Sequence, residues 1–276
     1  MNAIAGKVIL ITGAAMGMGK LYARLAVAEG AAAVVLWDLD MDALEATRAE
    51  LAAQGGRIVA HVVDVSSAQS VAEAAARVRE EVGDPDIVIN NAGVVRSKPF
   101  WEHDPLADTE FVIRINVLGV MHVARAFLPA MIANGRESRV LNVASASGLL
   151  SVPRMSVYTA SKWAVIGWSD SLRLELLRAG HGHVKVTTLI PSYIKTGMFA
   201  GARAPLLTPL LEPDYVVGKA WAAMKAGKPR LFLPWTVALS SALRGLLPLP
   251  AWDWLAGRVF KVYSSMDAFT GRASRP

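Results

Sequence analysis

The residues with the clearest capacity for chemistry are a tyrosine and a lysine four positions apart, Tyr158 and Lys162. In a helix, this spacing places the two side chains on one face. A phenol with a pKa of about 10 is a poor base at neutral pH, but a nearby ammonium group stabilises the phenolate and makes proton transfer feasible. The pair therefore predicts general acid–base chemistry at the start of a helix, although the spacing alone is common by chance.

A glycine-rich turn precedes a helical pattern near the N-terminus. The segment from Thr12 to Gly19 reads TGAAMGMG and follows directly after a short apolar strand. Glycines at such a position allow a tight turn and let the backbone approach a pyrophosphate, which then binds to the amides at the helix N-terminus. The turn therefore predicts a dinucleotide site.

The second predicted strand ends in an acidic residue, Asp38, which lies 19 residues beyond Gly19. A carboxylate there can accept hydrogen bonds from the adenosine ribose hydroxyls and would repel a 2′-phosphate. Because no basic residue occupies the glycine turn, we expect NAD rather than NADP. The alternative is an aspartate that only caps a turn or faces solvent.

Short β-branched runs alternate with Ala-rich amphipathic segments, which is typical of repeated βαβ units. For a chain of 276 residues this predicts an α/β fold: one domain built on a Rossmann-type, doubly wound, seven-stranded parallel sheet, with a C-terminal apolar extension. Strands are expected over residues 7–12, 33–38, 57–63, 86–90, 139–143, 185–190 and 230–234, and helices over 41–54, 67–82, 109–132 and 157–179, with another opening at 212–214.

The composition excludes several classes of protein. Hydrophobic residues make up 53% of the chain and charged residues 19%, which argues against a disordered protein. There are no cysteines, so disulfides and thiolate catalysis are excluded, and His181 and His183 are expected in a polar turn rather than at a metal. The net charge of +6 comes from dispersed Lys and Arg, which disfavours nucleic-acid binding. With no evident secretory signal, we expect a cytoplasmic protein.

Two apolar segments do not follow the alternation of predicted strands and helices. Residues 196–211 are expected to form a flap over a site, within a dinucleotide-binding catalytic domain of residues 1–233. Residues 234–276 form the C-terminal extension, whose prolines argue against a membrane-spanning helix. The extension is expected to pack over the substrate pocket or a partner subunit; the alternative is peripheral contact with a membrane interface through Trp235, Trp252 and Trp254.

Together with Asn90-Asn91-Ala92-Gly93, these motifs resemble those of the short-chain dehydrogenase/reductase family, common single-domain branch, over about residues 5–235. The resemblance implies hydride transfer to a nicotinamide, with Tyr158 taking the hydroxyl proton and Ser145 hydrogen-bonding the same oxygen. Lys162 would hold the ribose and lower the pKa of Tyr158, and Asn116 would position a water beside Lys162. By this resemblance the catalytic residues are Asn116, Ser145, Tyr158 and Lys162; Ser145 matches the family spacing better than Ser147, which is left as a possible supporting contact.

The resemblance also implies a set of cofactor contacts. The family's pattern after the sixth strand appears here as PSYIKT from Pro191 to Thr196, with Ser192 in place of the expected glycine. Thr196 would hydrogen-bond the carboxamide, and Asp64 and Val65 match the family's adenine-pocket pair. The implied cofactor-binding residues are Gly13, Met16, Gly17, Met18, Gly19, Asp38, Asp64, Val65, Asn91, Ala92, Gly93, Tyr158, Lys162, Pro191, Ile194 and Thr196, with no metal.

Within the family, segments 36–38, 90–95, 127–131 and 151–153 are similar to the group containing 17β-hydroxysteroid and retinol dehydrogenases. That likeness implies a homodimer or homotetramer and a small lipophilic substrate: a steroid, retinoid, terpenoid, aryl or long-chain alcohol and its ketone or aldehyde. The alternative is an NAD(H)-binding regulatory protein or a membrane-surface protein without turnover. Arg154 and Arg203 lie near the expected pocket, but no Arg or His is obviously placed to pair with a substrate carboxylate. The apolar pocket residues are expected to include Met198, Phe199, Leu206, Leu207, Leu210 and Leu211.

Overall fold

In a computed structural model, which describes residues 1, 3–206 and 208–271, a seven-stranded sheet with every neighbouring pair parallel lies at the centre. The strand order is β3-β2-β1-β4-β5-β6-β7, so the direction of winding reverses between β1 and β4. This confirms the expected doubly wound fold. The strands are β1 Val8–Thr12, β2 Ala33–Asp38, β3 Ile58–Val62, β4 Ile87–Asn90, β5 Ser138–Val143, β6 Val184–Pro191 and β7 Arg230–Leu233.

The central strands are buried on both faces because helices cover each side of the sheet. Every residue of β4 and β5 is buried, including the polar Ser138, Arg139 and Asn142 of β5, so these strands do not alternate between an apolar and a polar face. The helices are α1 Gly17–Ala28, α2 Met41–Ala53, α3 Ala68–Val82, α4 Pro105–Ala133, α5 Ser156–Arg178, α6 Pro213–Lys225, α7 Thr236–Leu246 and α8 Leu249–Trp254. Two core clusters result, one containing residues of α1, α2 and α6 and the other residues of α3, α4 and α5.

Helix α4 begins four residues earlier than the predicted helix over 109–132. The carboxylate of Asp104 accepts hydrogen bonds from the Leu106 and Ala107 amides, and Pro105 occupies the first turn, where it is tolerated. Among the described residues, α4 alone has the length and apolar composition of a membrane-crossing helix. Its buried side chains, including Val123 and Phe127, pack beneath the sheet, as expected of a core helix.

The C-terminal segment folds back onto the domain. Val237, Trp252 and Met266 are buried, Trp252 being only 2% exposed. A second set of its side chains faces outwards. We call this set the apolar face of the tail; it consists of Trp235, Leu239, Leu246, Leu249 and Trp254. Leu207 of the flap and residues 272–276 of the expected extension lie outside the described part of the chain.

Candidate active site

An open groove of about 760 Å³ runs along the carboxyl ends of β1 and β4, where the winding reverses. Ligands of open α/β sheets bind at such a point. All the predicted cofactor-binding residues except Gly19 line the groove. It is lined by Gly13, Met16, Gly17, Met18, Asp38, Asp64, Val65, Asn91, Ala92, Gly93, Tyr158, Lys162, Pro191, Ile194 and Thr196.

The glycine turn has no room for side chains at two of its positions. A Cβ on Gly19 would lie 2.0 Å from the Gly13 carbonyl oxygen, and one on Gly13, whose φ is +63°, would lie 2.9 Å from the Ala92 Cα. Gly19 therefore acts by letting α1 pack closely under the turn. Met16, the N-cap residue of α1, makes no side-chain capping hydrogen bond to this helix. An uncapped helix N-terminus facing an open groove fits a pyrophosphate.

Asp38 is held in a fixed orientation at the end of β2. One of its carboxylate oxygens accepts a hydrogen bond from the Ala15 amide at 2.9 Å, and the other accepts one from the Leu39 amide at 2.8 Å. The capping role weighed as an alternative is therefore present, and the same carboxylate lines the groove. A carboxylate oxygen has lone pairs for more than one donor, so both roles are compatible.

The loop after β4 is tied to the glycine turn. The Asn91 side-chain amide donates to the Thr12 and Gly13 carbonyls, each at 3.0 Å. In return, the Thr12 hydroxyl accepts from the Asn91 and Ala92 amides. These contacts hold the two halves of the sheet together where the groove opens.

Helix α5 carries Tyr158 and Lys162 side by side, with 4% and 5% of each residue exposed. The Lys162 ammonium lies 5.7 Å from the centre of the Tyr158 ring and donates to the Val143 carbonyl at 2.9 Å. Burial lowers the pKa of Lys162 to about 8. Burial also raises the pKa of Tyr158, a shift that the hydrogen bond to Ser145 opposes. The lowering of the Tyr158 pKa expected from Lys162 is not found in this structure, where burial has the largest effect on that pKa.

Ser145 lies where the groove meets a second, apolar pocket, and it lines both. Its hydroxyl oxygen is 2.9 Å from the Ser147 hydroxyl, which can donate to it, and accepts the Ser147 amide at 3.2 Å. Ser147 lines only the apolar pocket. The geometry thus places Ser145 beside Tyr158, with Ser147 supporting it from behind.

Asn116 lies in a π-helical turn of α4, behind the groove rather than in its wall. Its side chain accepts a hydrogen bond from the Val94 amide and donates to the Val94 carbonyl, both at 2.9 Å, and donates to the Ser161 hydroxyl at 3.0 Å. A Cβ on Gly93 would lie 3.3 Å from the Asn116 oxygen and 3.5 Å from the Lys162 nitrogen. The side chain of Asn116 therefore fixes the loop that passes between it and Lys162.

Ser192 occupies the position of the expected glycine, and its hydroxyl is buried with no hydrogen-bond partner in the described structure. The residue lines both the groove and the apolar pocket. Other groove residues were not predicted because they belong to no motif. They include Leu39 and Asp40, which follow β2, and Ile115 of helix α4. Met198 and Phe199 of the flap, which were expected in the apolar pocket, also line the groove.

The apolar pocket is closed by the flap and the tail together. Its free volume is about 60 Å³, far less than the 760 Å³ of the groove. The hydroxyl of Tyr193, three residues before the flap, lies 2.8 Å from the Ser265 hydroxyl of the tail. A larger ligand would have to displace part of this cover. The pocket is lined by Leu150, Val152, Met155, Phe199, Pro205, Leu206, Val237, Trp252, Phe260 and Val262, among others.

The two histidines of the HGH pair lie in the turn before β6. His183 contacts the Met131 carbonyl at 3.2 Å, and the two rings are 6.1 Å apart. Within the described ranges, no group of three metal-ligating side chains comes together.

Comparisons with known proteins agree with this geometry. The model of the short chain dehydrogenase family matches residues 7–206. Epidermal retinol dehydrogenase 2 of Mus musculus is 35% identical over 99% of this chain and 88% of its own length. Estradiol 17-beta-dehydrogenase 11 of Homo sapiens is 36% identical over 90% of this chain and 81% of its own length.

Two solved structures show the same fold. A short chain dehydrogenase/reductase from Burkholderia phymatum in complex with NAD has a TM-score of 0.82 and 29% identity, covering 89% of this chain and 95% of that one. An alcohol dehydrogenase from Thermococcus sibiricus complexed with 5-hydroxy-NADP has a TM-score of 0.72 and 29% identity, covering 82% of this chain and 95% of that one. The chain belongs to the short-chain dehydrogenase family, in the group of the retinol and 17β-hydroxysteroid dehydrogenases, and is a nicotinamide-dependent oxidoreductase.

Proposed function

We propose that the protein interconverts a lipophilic alcohol and its ketone or aldehyde, using NAD(H). The observation that carries this proposal is the position of Ser145, at the junction of the cofactor groove and the apolar pocket. Tyr158 lines the groove there and packs against residues of the flap and tail. A carbinol at the junction would have acid–base groups on one side and apolar walls on the other.

In this proposal, NAD held in the groove would supply the acceptor for the hydride of the carbinol carbon. Tyr158 removes the hydroxyl proton, and Ser145 donates a hydrogen bond to the same oxygen. Because burial raises the pKa of Tyr158, a phenolate there needs a neighbouring positive charge, which the Lys162 ammonium supplies. The side chain of Asn116 is held by Val94 and Ser161, so in this proposal Asn116 acts by fixing the loop beside Lys162.

The apolar pocket supports a lipophilic substrate. Met155 and Phe199 line it from the catalytic side, and Trp252 and Phe260 from the tail. The two relatives are named as a retinol and an estradiol dehydrogenase, and both retinol and estradiol are lipophilic alcohols. A panel of retinoid, steroid, aryl and long-chain alcohols assayed for NADH formation tests the proposal. Failure of every member, with a hydrophilic sugar alcohol oxidised instead, would contradict it.

Asp38 supports NAD over NADP, and we predict at least about a tenfold preference in kcat/KM for NAD. Asp38→Asn keeps one oxygen acceptor for the turn amides but removes the negative charge that opposes a 2′-phosphate. The variant should therefore gain about tenfold in kcat/KM with NADP. Initial rates with both cofactors at one saturating alcohol concentration provide the measurement. Asp42→Asn, an exposed charge on α2, is the control and should leave the ratio unchanged.

Helices α4 and α5 support a homodimer or homotetramer. Each leaves large apolar side chains exposed, which is characteristic of subunit interfaces. Sedimentation equilibrium would determine the oligomeric state. The exposed residues are Leu106 and Leu118 on α4 and Trp163, Leu174 and Leu177 on α5.

The apolar face of the tail supports peripheral contact with a membrane. Trp235 is 71% exposed and Leu246 is 80% exposed, and Leu239 lies on the same side of α7. Arg258 and Lys261, which follow α8, are exposed and could contact anionic headgroups.

We predict that Trp235→Ser/Leu246→Ser lowers partitioning into phosphatidylserine-containing vesicles about tenfold, because two large apolar side chains no longer insert. Cosedimentation of the full chain with vesicles measures this effect. Trp101→Ser removes an even more exposed tryptophan, outside the tail, and is the control. Equal binding of all three proteins would rule out lipid contact through this face.

A further inference from the structure

A second opening, of about 470 Å³, adjoins the cofactor groove. It shares Gly93, Val94 and Met198 with the groove, so the two spaces are neighbours. We call it the basic pocket. It is lined by the loop after β4, the start of α4 and the end of the tail: Gly93, Val94, Val95, Arg96, Ser97, Lys98, Asp108, Met198, Phe269, Thr270 and Gly271.

The basic pocket has two cations for one carboxylate. Asp108 is buried, and its oxygens lie 2.7 Å from the Lys98 ammonium and 3.4 Å from Nε of Arg96. Burial opposes ionisation, but hydrogen bonds from Lys98 and from the Asp104 amide hold the pKa of Asp108 below its usual value. Asp108 is therefore ionised at neutral pH, and one positive charge is left over in the lining.

The two cationic side chains are placed to meet a ligand. Arg96 lies over the Phe111 ring, 4.7 Å from its centre, and its closest approach to Asp108 is through Nε rather than a terminal nitrogen. Its side chain is 44% exposed, and that of Lys98 is 38% exposed.

The pocket also reaches the reacting groups. Val95 and Phe269, two of its lining residues, pack in the same apolar cluster as Tyr158. A molecule whose hydroxyl lies against Tyr158 could therefore extend past Val95 towards Arg96 and Lys98.

We propose that the basic pocket binds the acidic group of the substrate, so that the favoured substrates are lipophilic alcohols or ketones that carry a carboxylate. This inference rests on the proposed function and narrows its substrate class. It replaces the expectation that no basic side chain is placed to pair with a substrate carboxylate. Arg96 and Lys98 belong to no motif and are brought to the site by the loop that Asn116 holds through Val94.

The test compares an ω-hydroxy fatty acid, ω-hydroxydodecanoate, with its methyl ester, which is equally long but uncharged. With NAD, we expect kcat/KM for the acid to exceed that for the ester about tenfold, as a charge-assisted contact would give. Arg96→Gln/Lys98→Gln should reduce this ratio about tenfold. Asp108→Asn should raise it, since the cations are no longer neutralised. A purely structural role for Arg96, Lys98 and Asp108 cannot explain changes of opposite sign in the acid/ester ratio.

Controls separate the two proposals. Lys219→Gln removes an exposed charge from α6 and should leave the acid/ester ratio unchanged. Calorimetric binding of dodecanoate to the NADH-loaded protein gives a second readout that needs no turnover and should weaken about tenfold in Arg96→Gln/Lys98→Gln. Equal acid/ester ratios and equal dodecanoate affinities in all the variants would overturn the basic pocket, while continued turnover of the ester would still support the proposed function. Tight dodecanoate binding without turnover of any alcohol would support the basic pocket and contradict the proposed function.

Discussion

Tyr158→Phe is expected to lower kcat at least about a thousandfold while changing NADH affinity less than about twofold. The substitution removes one oxygen and keeps the ring, which is 96% buried and lies edge-on to Phe199, 6.0 Å between ring centres. Without the phenol oxygen, the substrate hydroxyl has no group to take its proton. The lysine proposed to hold the ribose, Lys162, keeps its position through its own bond to Val143.

A matched control is available within the same pocket. Tyr193→Phe also removes a buried phenol hydroxyl, but that hydroxyl pairs with Ser265 of the tail. We expect it to change kcat less than about tenfold, because it loosens the cover without touching the proton path. Steady-state turnover, together with NADH fluorescence titration, separates the two effects. Normal turnover in Tyr158→Phe would refute the assignment of Tyr158 as the acid–base group.

The fold and the cofactor groove could largely be predicted because the groove is built where strands end. Gly13 and Asn91 follow β1 and β4 directly, so the strand pattern alone brings them together. The same logic placed Asp38 at the end of β2. These residues depend on local geometry, which a single sequence records well.

The wall of the substrate site depends on contacts between distant segments, which periodicity does not report. Tyr193 and Ser265 are 72 positions apart, and nothing local indicates that their hydroxyls meet. Arg96 and Lys98 looked like ordinary loop cations, and only the fold places them beside Asp108. Asp104 and Pro105 are typical residues for the start of a helix and mark the true beginning of α4. The spacing of apolar residues, on which the predicted start at 109 was based, does not include them.

Lys162→Met is expected to abolish most turnover and yet to stabilise the protein at neutral pH. Loss of the ammonium next to Tyr158 should lower kcat about a hundredfold or more, since it removes the charge that a phenolate needs. Burial lowers the pKa of Lys162 from 10.5 to about 8, so below pH 8 the folded protein holds a buried charge that the unfolded chain would hydrate. Burying this charge lowers the free energy of unfolding of the wild type by roughly 3 kcal/mol, and Lys162→Met removes that cost. The variant also loses the hydrogen bond to the Val143 carbonyl, which lowers its free energy of unfolding by about 1 kcal/mol.

The pH dependence distinguishes this explanation from a simple packing effect. In the wild type without cofactor, the Lys162 penalty is complete below pH 8 and is relieved as the pH rises from about 8 to 10.5, so the free energy of unfolding gains up to about 3 kcal/mol from this group. Lys162→Met has no such pH-dependent contribution. The difference in free energy of unfolding between the variant and the wild type should therefore shrink with rising pH. Urea unfolding at pH 7 and pH 10 measures it, with Lys219→Met as an exposed control. A constant difference would mean that Lys162 has the same pKa in the folded and the unfolded protein, which would contradict a penalty for burying its charge.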